Sequence, residues 1–124
     1  MSNWTEEQIE KVWLKGKEVS GYEKNKHRKD LAGAWMQKDQ HGNQDSIFGW
    51  QIDHKIPSAK NGCSSMCNLQ PLQWNNNQTK SDDFPSFKTS ITSENNSNIE
   101  HSQSWKYNAQ QVSDLKSCCP NAKV

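Results

Sequence analysis

Apolar residues along the chain predict short elements separated by long polar stretches. Near the start they recur at helical spacing behind the capping-box pair Thr5 and Gln8, which predicts a helix over about residues 6–18. A second, weaker helical pattern over about residues 31–38 predicts a shorter helix. We therefore expect a helical N-terminal third.

The middle of the chain has the composition of strands. Residues 47–52 contain Ile, Phe and Trp, which favour a strand. Pro57 cannot donate a backbone hydrogen bond, so it ends the strand soon after these residues. A polar connection over residues 58–67 leads to a returning edge strand over residues 69–73, and residues 74–80 can run on as a helix. The expected order is strand, loop, strand, helix.

After Asp83 the chain is rich in Ser and Asn, and its periodicity is weak. Residues 84–91 are expected to pack on the middle segment and residues 94–103 to form a mobile turn. One short final helix is expected over residues 109–116.

The length of 124 residues suits one domain rather than two. We expect an α+β fold over residues 1–124, with its core at about 47–85, a helical shell of N-terminal helices at about 5–40 and a poorly defined C-terminal extension at about 86–124. Only 31% of residues are hydrophobic, so the six Trp should supply much of a thin core. No run of about 18 apolar residues and no charged-then-apolar leader is present. A soluble, intracellular protein without signal peptide or membrane segment is the expectation.

Positive charge is concentrated in one region, although the net charge is only +1. Seven of the fifteen Lys and Arg lie between Lys11 and Lys29. Because clustered basic side chains neutralise phosphates, we expect nucleic-acid contacts from the tightest group. That group is Lys24, Lys26, Arg28 and Lys29. A solvated basic turn explains the same pattern equally well.

The four cysteines do not have the spacing of a zinc site. Cys63 and Cys67 lie in the middle loop, and Cys118 and Cys119 are adjacent near the end. No CxxC pair exists, and adjacent cysteines cannot easily point two sulfurs at one metal, so we expect no structural zinc. Without a secretory signal free thiols are the default, with disulfides to the tail as the alternative in an oxidising compartment.

The residues with candidate chemistry lie in the strand-loop-strand-helix segment. Phosphodiester hydrolysis needs an activated water and positive charge near the phosphate. Asp53 and His54 end the first strand, where twisting can direct a carboxylate at a metal and an imidazole at a neighbouring water. Folding of the helix can bring the amide oxygen of Asn77 to the same metal, and oxygen ligands suit Mg²⁺. Asp53 and Asn77 are thus the candidate metal ligands and His54 the candidate base.

Two further residues have supporting roles in this hypothesis. Asn68, at the start of the returning strand, can hydrogen-bond across the hairpin, hold the loop and orient the imidazole. Lys80 shares a helical face with Asn77 and can approach a phosphate as a point charge. Each piece alone is ordinary: an Asp-His pair before a proline is more often a polar strand end, and an Asn run is more often a turn.

The combination resembles the HNH endonuclease family. The residues that carry the resemblance are DHKIP at 53–57, NLQPL at 68–72 and NQTK at 77–80, and the likeness covers roughly residues 21–83. It implies a ββα-metal core, two strands and one helix around a single metal. It also implies His54 as general base, Asp53 and Asn77 as metal ligands, and Asn68 as the brace of the loop.

The resemblance also has departures. Many family members carry two CxxC pairs that bind structural zinc, whereas Gln73 and Asn76 stand at the positions flanking the helix start. We expect a divalent metal, Mg²⁺ first and Mn²⁺ second, and DNA as the partner with RNA as an open alternative. Two competing hypotheses are a catalytically silent nucleic-acid or protein binding module of this fold and a toxin-like nuclease with a cognate inhibitor.

Overall fold

A computed structural model describes residues 4–124 of the chain. Within that range the fold is α+β, as expected, with three α-helices and three two-stranded antiparallel sheets. The helices are α1 (Glu6–Trp13), α2 (Trp74–Lys80) and α3 (Ala109–Cys118). The sheets pair β1 (His27–Lys29) with β2 (Trp35–Gln37), β3 (Trp50–His54) with β4 (Leu69–Gln73), and β5 (Ser86–Glu94) with β6 (Ser97–Lys106).

Helix α1 begins where the sequence predicts and ends earlier. Thr5 and Gln8 form the expected capping box, in which the Gln8 amide accepts from the Thr5 backbone N–H at 2.9 Å. The guanidinium of Arg28 donates to the carbonyls of Leu14 at 3.2 Å and Gly16 at 3.0 Å. These carbonyls are therefore satisfied outside a helix, and the chain leaves α1 at Trp13 rather than at residue 18.

The prediction of a second helix over residues 31–38 is wrong, because these residues lie in the β1–β2 hairpin and the short turn after it. The Asp30 carboxylate accepts from the backbone N–H groups of Ala32 at 3.0 Å and Ala34 at 2.9 Å. Gly33 between them has φ of 87°, which glycine adopts without strain. A local aspartate turn thus replaces the helix, and the N-terminal shell is one helix plus one hairpin.

The strand-loop-strand-helix order of the middle segment is confirmed. Strands β3 and β4 pair antiparallel with His54 opposite Leu69 and Ile52 opposite Pro71, so Pro71 stands in a two-stranded sheet with a free edge. The side chain of Gln73 then caps α2, accepting from the N–H groups of Asn75 at 2.9 Å and Asn76 at 3.1 Å. The chain passes from strand to helix without a loop.

The C-terminal extension forms a hairpin and a helix. Residues 94–103 belong largely to the β5–β6 hairpin rather than to a mobile turn. On β5 the side chains of Phe87, Thr89 and Ile91 alternate toward the interior, the period of a half-buried strand. The final helix is confirmed as α3, capped by Asn108 and Gln111.

Two apolar clusters form the core. The larger cluster joins α1 to the central hairpin through Val12, Trp13, Met36, Trp50, Ile52 and Leu69. The rings of Trp13 and Trp50 lie 5.3 Å apart, and both are fully buried, so tryptophan supplies the bulk here as predicted. The smaller cluster packs α3 on the loop after β3 through Ile56, Leu115, Cys119 and Ala122.

Packing of α3 on that loop brings the four cysteines together as two disulfides, Cys63–Cys119 and Cys67–Cys118. The expectation of free thiols is therefore wrong for this structure. Only the folded position of α3 places the two distant cysteine pairs side by side, which local spacing does not reveal. Within residues 4–124, no helix has the length and apolar character needed to cross a membrane.

Candidate functional site

Three of the predicted site residues meet at one cavity of about 230 Å³. Asp53 and His54 reach it from the end of β3, and Asn77 reaches it from the first turns of α2. Its other lining residues are Ile52, Pro57, Ser58, Ser81 and Asp82. Residues distant in the chain are thus gathered at the place where the hairpin meets the helix.

Asp53 is a buried carboxylate held by two donors. Its Oδ2 accepts from the Gln70 amide at 2.9 Å, and it forms an ion pair with the Lys80 ammonium at 3.3 Å. Burial raises the pKa of Asp53, while the charge of Lys80 and the hydrogen bond from Gln70 act in the opposite direction. The carboxylate is therefore fixed in position, with 6% of its residue surface exposed.

His54 is half-buried, and its imidazole faces the polar loop. Its Nε2 lies 3.0 Å from Ser64 Oγ, at hydrogen-bonding distance, and its ring lies 5.6 Å from the Trp4 ring. Burial lowers the pKa of His54, the charge of Asp53 opposes this, and Lys80 adds to the lowering. A lowered pKa favours the neutral imidazole, the form that accepts a proton.

Asn77 presents an amide whose nitrogen is already engaged. Its Nδ2 donates to Gln51 Oε1 on β3 at 2.6 Å. An amide carries its oxygen on the side opposite to this nitrogen contact, so the oxygen is the atom of Asn77 available to a cation. The same contact fixes α2 against the hairpin.

Asn68 braces the loop as the sequence predicts. Fully buried, it accepts from the N–H of Ile56 at 2.9 Å and donates to the carbonyls of Ile56 at 3.1 Å and Cys63 at 2.8 Å. Gly62 belongs to the same loop, where an added Cβ would lie 1.7 Å from the Ile56 carbonyl oxygen. The loop between β3 and β4 is therefore tightly closed on itself.

The role predicted for Lys80 is wrong in this structure. Its side chain has 0% exposure, so its ammonium does not reach a phosphate outside the protein. It pairs with Asp53 and donates to the carbonyls of His54 at 3.1 Å and Lys55 at 3.3 Å. Lys80 fixes the end of β3 instead of touching a substrate.

The predicted basic cluster divides into buried and exposed members. Arg28 is 3% exposed and bonded to backbone carbonyls, so its assignment to nucleic-acid contact is wrong. Lys24 and Lys26 are exposed, and Lys26 lies 3.6 Å from Glu23. Lys29 places its ammonium 4.7 Å from the centre of the Trp35 ring. Three lysines remain available to a phosphate backbone.

A different basic surface appears only in the fold. Lys15, Lys17, Lys29 and Lys55 line one cavity of about 260 Å³, which we call the basic groove. Burial lowers the pKa of Lys15, and the nearby charge of Lys55 adds to the lowering. Such crowding of like charges favours an anionic ligand. The concentration of lysines before residue 30 is the part of this groove that is visible in the sequence, whereas Lys55 joins these lysines only through folding.

Several neighbours of the site were not predicted. Gln70 is the ladder partner of Asp53, a position that follows once the register of β3 and β4 is known. Gln70 also donates to the Tyr107 hydroxyl at 3.3 Å, and burial and the charge of Asp53 raise the pKa of Tyr107. Ser64 and Asp82 lie in polar segments that offer no local pattern to single them out.

The cavity carries oxygen donors of the kind that hard divalent cations prefer. It is lined by the carboxylates of Asp53 and Asp82 and by the amide of Asn77, and Mg²⁺ and Mn²⁺ prefer such oxygen donors. The Lys80 ammonium already pairs with the Asp53 carboxylate, so a metal ion would compete with this ion pair for the same oxygens. Comparison of the chain with protein-family models, with curated proteins and with solved structures found no match.

Proposed function

We propose that the protein is an HNH-type endonuclease that hydrolyses phosphodiester bonds in DNA with a divalent metal, Mg²⁺ first and Mn²⁺ second. The observation that carries the proposal is the meeting of Asp53, His54 and Asn77 at one cavity. Antiparallel β3 and β4 followed directly by α2 agree with the ββα-metal core that the sequence resemblance implies.

The chain's own residues have distinct roles in this proposal. Asp53 and Asn77 hold the metal, which when bound supplies positive charge to the phosphate and the departing oxygen. Neutral His54 accepts the proton of the attacking water. Lys80 and Gln70 hold the Asp53 carboxylate, and Asn68 holds the loop that carries Ser64 to the imidazole.

The basic groove supports the choice of a nucleic-acid substrate. Lys55 follows His54 directly in the chain and lines the groove, so the groove begins one residue from the proposed base. Lysines contact the backbone rather than the bases, which favours weak sequence selectivity. DNA is the proposed substrate, and RNA is tested beside it.

The test is cleavage of supercoiled plasmid in the presence of Mg²⁺ or Mn²⁺. We expect His54→Ala to abolish cutting while the circular dichroism spectrum is unchanged, because the imidazole activates water rather than filling the core. His101→Ala is the matched control: this histidine is exposed on β6 and does not line the cavity, so its loss should leave cutting intact.

Uncut plasmid and uncut single-stranded DNA and RNA with Mg²⁺, Mn²⁺, Co²⁺ and Ni²⁺ would contradict the proposal. A competing proposal, a binding module without turnover, is favoured by one observation: both Asp53 oxygens already face Lys80 or Gln70. Salt-dependent DNA binding that is unaffected by chelation and by Asp53→Ala would support that module instead.

A further inference from the structure

The four cysteines lie closer together than two separate disulfides require. Across the two pairs, Cys63 Sγ lies 3.9 Å from Cys118 Sγ, and Cys118 Sγ lies 3.8 Å from Cys119 Sγ. The sulfurs of Cys63, Cys118 and Cys119 all fall within 4.8 Å of one another, and Cys67 is bonded to Cys118. Cys67 lies at the edge of this three-sulfur group through its bond to Cys118, and we call the four residues the cysteine cluster.

Two of these separations, 3.9 Å and 3.8 Å, match the edges of a tetrahedral metal site. With Zn–S bonds of about 2.3 Å, the edges of a tetrahedron of sulfurs are about 3.8 Å long. The adjacent residues Cys118 and Cys119, whose spacing argued against zinc in the sequence, hold their sulfurs at that separation because the chain leaves α3 between them. Folding thus removes the objection that the sequence raised.

The surroundings of the cysteine cluster suit thiolate ligands. The backbone N–H of Cys63 donates to Cys119 Sγ at 3.1 Å, and hydrogen bonds of this kind orient metal-bound sulfur. Cys119 is 1% exposed, and Ile56, Leu115 and Ala122 shield it from solvent. Thiolate donors select soft ions, so this site would take Zn²⁺ rather than the hard cation proposed for the Asp53 cavity.

We propose that the reduced protein binds one Zn²⁺ through Cys63, Cys67, Cys118 and Cys119. A phosphine reduces each disulfide by two electrons to two thiols. In each reduction one phosphine and one water are converted to the phosphine oxide, so the two disulfides give four thiols. Binding then releases the four thiol protons to buffer as four Zn–S bonds form. These cysteines are not at the helix-flanking positions of the family's zinc pairs, where Gln73 and Asn76 stand.

Such a site would connect α3 to the loop that carries candidate chemistry. Cys63 and Cys67 bracket Ser64, which contacts His54, and the Cys63 carbonyl accepts from Asn68. The metal would hold this loop in the reduced protein as the disulfides hold it in the oxidised protein. The proposed zinc is independent of the proposed nuclease activity.

The experiment uses the full chain, reduced with a phosphine and kept free of oxygen and metal. We expect Co²⁺ to give the sulfur-to-cobalt charge-transfer band and the intense visible bands of tetrahedral thiolate cobalt, and an equimolar amount of Zn²⁺ to remove both. Cys119→Ser should weaken Zn²⁺ binding more than about 100-fold, a larger loss than outer-shell changes cause. Ser117→Ala, an exposed neighbour on α3, is the matched control and should bind as the wild type does.

Cobalt spectra without the charge-transfer band would overturn the proposal, as would mass spectra in which the disulfides persist under the phosphine. Because Cys119→Ser can also lose its fold, the zinc content of the wild type purified under reductant is measured separately, and zinc absent there overturns the proposal as well. His54→Ala should keep full zinc binding, which separates this test from that of the nuclease.

Discussion

At the scale of single residues, the ion pair between Asp53 and Lys80 decides how the candidate site is held. Both side chains are buried, with 7% and 0% exposure, so each charge depends on the other for stabilisation. Lys80 also satisfies the carbonyls of His54 and Lys55. The lysine therefore positions the residues around the cavity without touching a substrate.

Removing the Lys80 charge should destabilise the fold. We expect Lys80→Met to lower the free energy of unfolding by about 3–5 kcal/mol, because Asp53 is left as an uncompensated buried charge. Urea denaturation followed by circular dichroism measures the loss. Lys88→Met, an exposed lysine on β5, should change it by less than about 0.5 kcal/mol. Equal stabilities of the two variants would contradict the role given to Lys80.

The contact between Ser64 and His54 allows two mechanisms of hydrolysis to be distinguished, one with water and one with Ser64 as the nucleophile. If His54 activates water, Ser64 only orients the imidazole, and Ser64→Ala should slow plasmid cleavage by about 5- to 10-fold, the worth of one hydrogen bond. If Ser64 were a nucleophile, the same variant would be inactive. Initial cleavage rates of Ser64→Ala and of the exposed neighbour Ser65→Ala distinguish these cases.

At the scale of elements, one buried carboxylate joins three parts of the fold. Asp30 binds the β1–β2 turn through Ala32 and Ala34, and its Oδ2 accepts from the Gln73 N–H at 3.0 Å and the Asn76 amide at 2.9 Å. Asn76 in turn accepts from the N–H of Ile91 on β5 at 2.8 Å. The start of α2 is thereby fixed to both flanking hairpins.

Loss of this carboxylate should loosen all three connections. We expect Asp30→Ala to lower the free energy of unfolding by about 3 kcal/mol or more, because buried donors lose their acceptor and each costs about 1–3 kcal/mol. Thermal and urea unfolding measure the change. Asp45→Ala, which removes an exposed carboxylate, should be close to neutral. A neutral Asp30→Ala would show that water replaces the carboxylate.

The same aspartate shows which parts of the fold the sequence can predict. The central hairpin and α2 follow from local features: β-rich composition, Pro57 and the polar run into the helix. Residues 31–38 have a helical apolar pattern, yet the hydrogen bonds that Asp30 accepts from its own turn and from Gln73 and Asn76 select a hairpin. Partners so distant in the chain leave no trace in a local window.

The β5–β6 hairpin was missed for a related reason. Alternation of Phe87, Thr89 and Ile91 is present in the sequence, but the surrounding Ser and Asn residues resemble a loop. Helix α2 covers the inner face of this hairpin, and Asn76 of α2 accepts hydrogen bonds from the backbone of β5. The hairpin therefore depends on tertiary contacts. Motif order singled out Asp53, His54 and Asn77, and the fold gathers these three at one cavity, whereas the burial of Lys80 and Arg28 follows only from the packing.

At the scale of the whole molecule, the basic groove relates charge to the proposed substrate. A net charge of +1 gives little general attraction to DNA, so binding must come from lysines gathered in one place. Lys15 is already committed to the carbonyls of Met66 and Leu69, and Lys55 is half-buried. Lys17 is exposed, and its ammonium takes no part in those contacts, which makes it the residue to test.

Neutralising Lys17 should weaken DNA binding in a way that depends on salt. Each phosphate contact adds about 0.9 to the slope of log affinity against log salt concentration. We expect Lys17→Gln, made in inactive His54→Ala protein, to reduce that slope by about 1 without altering the fold. Lys88→Gln, an equal change of charge at a lysine outside the groove, should keep the slope. Fluorescence anisotropy at several salt concentrations measures both variants, and identical slopes would place the DNA on another surface, with exposed Lys24 and Lys26 as the next residues to neutralise.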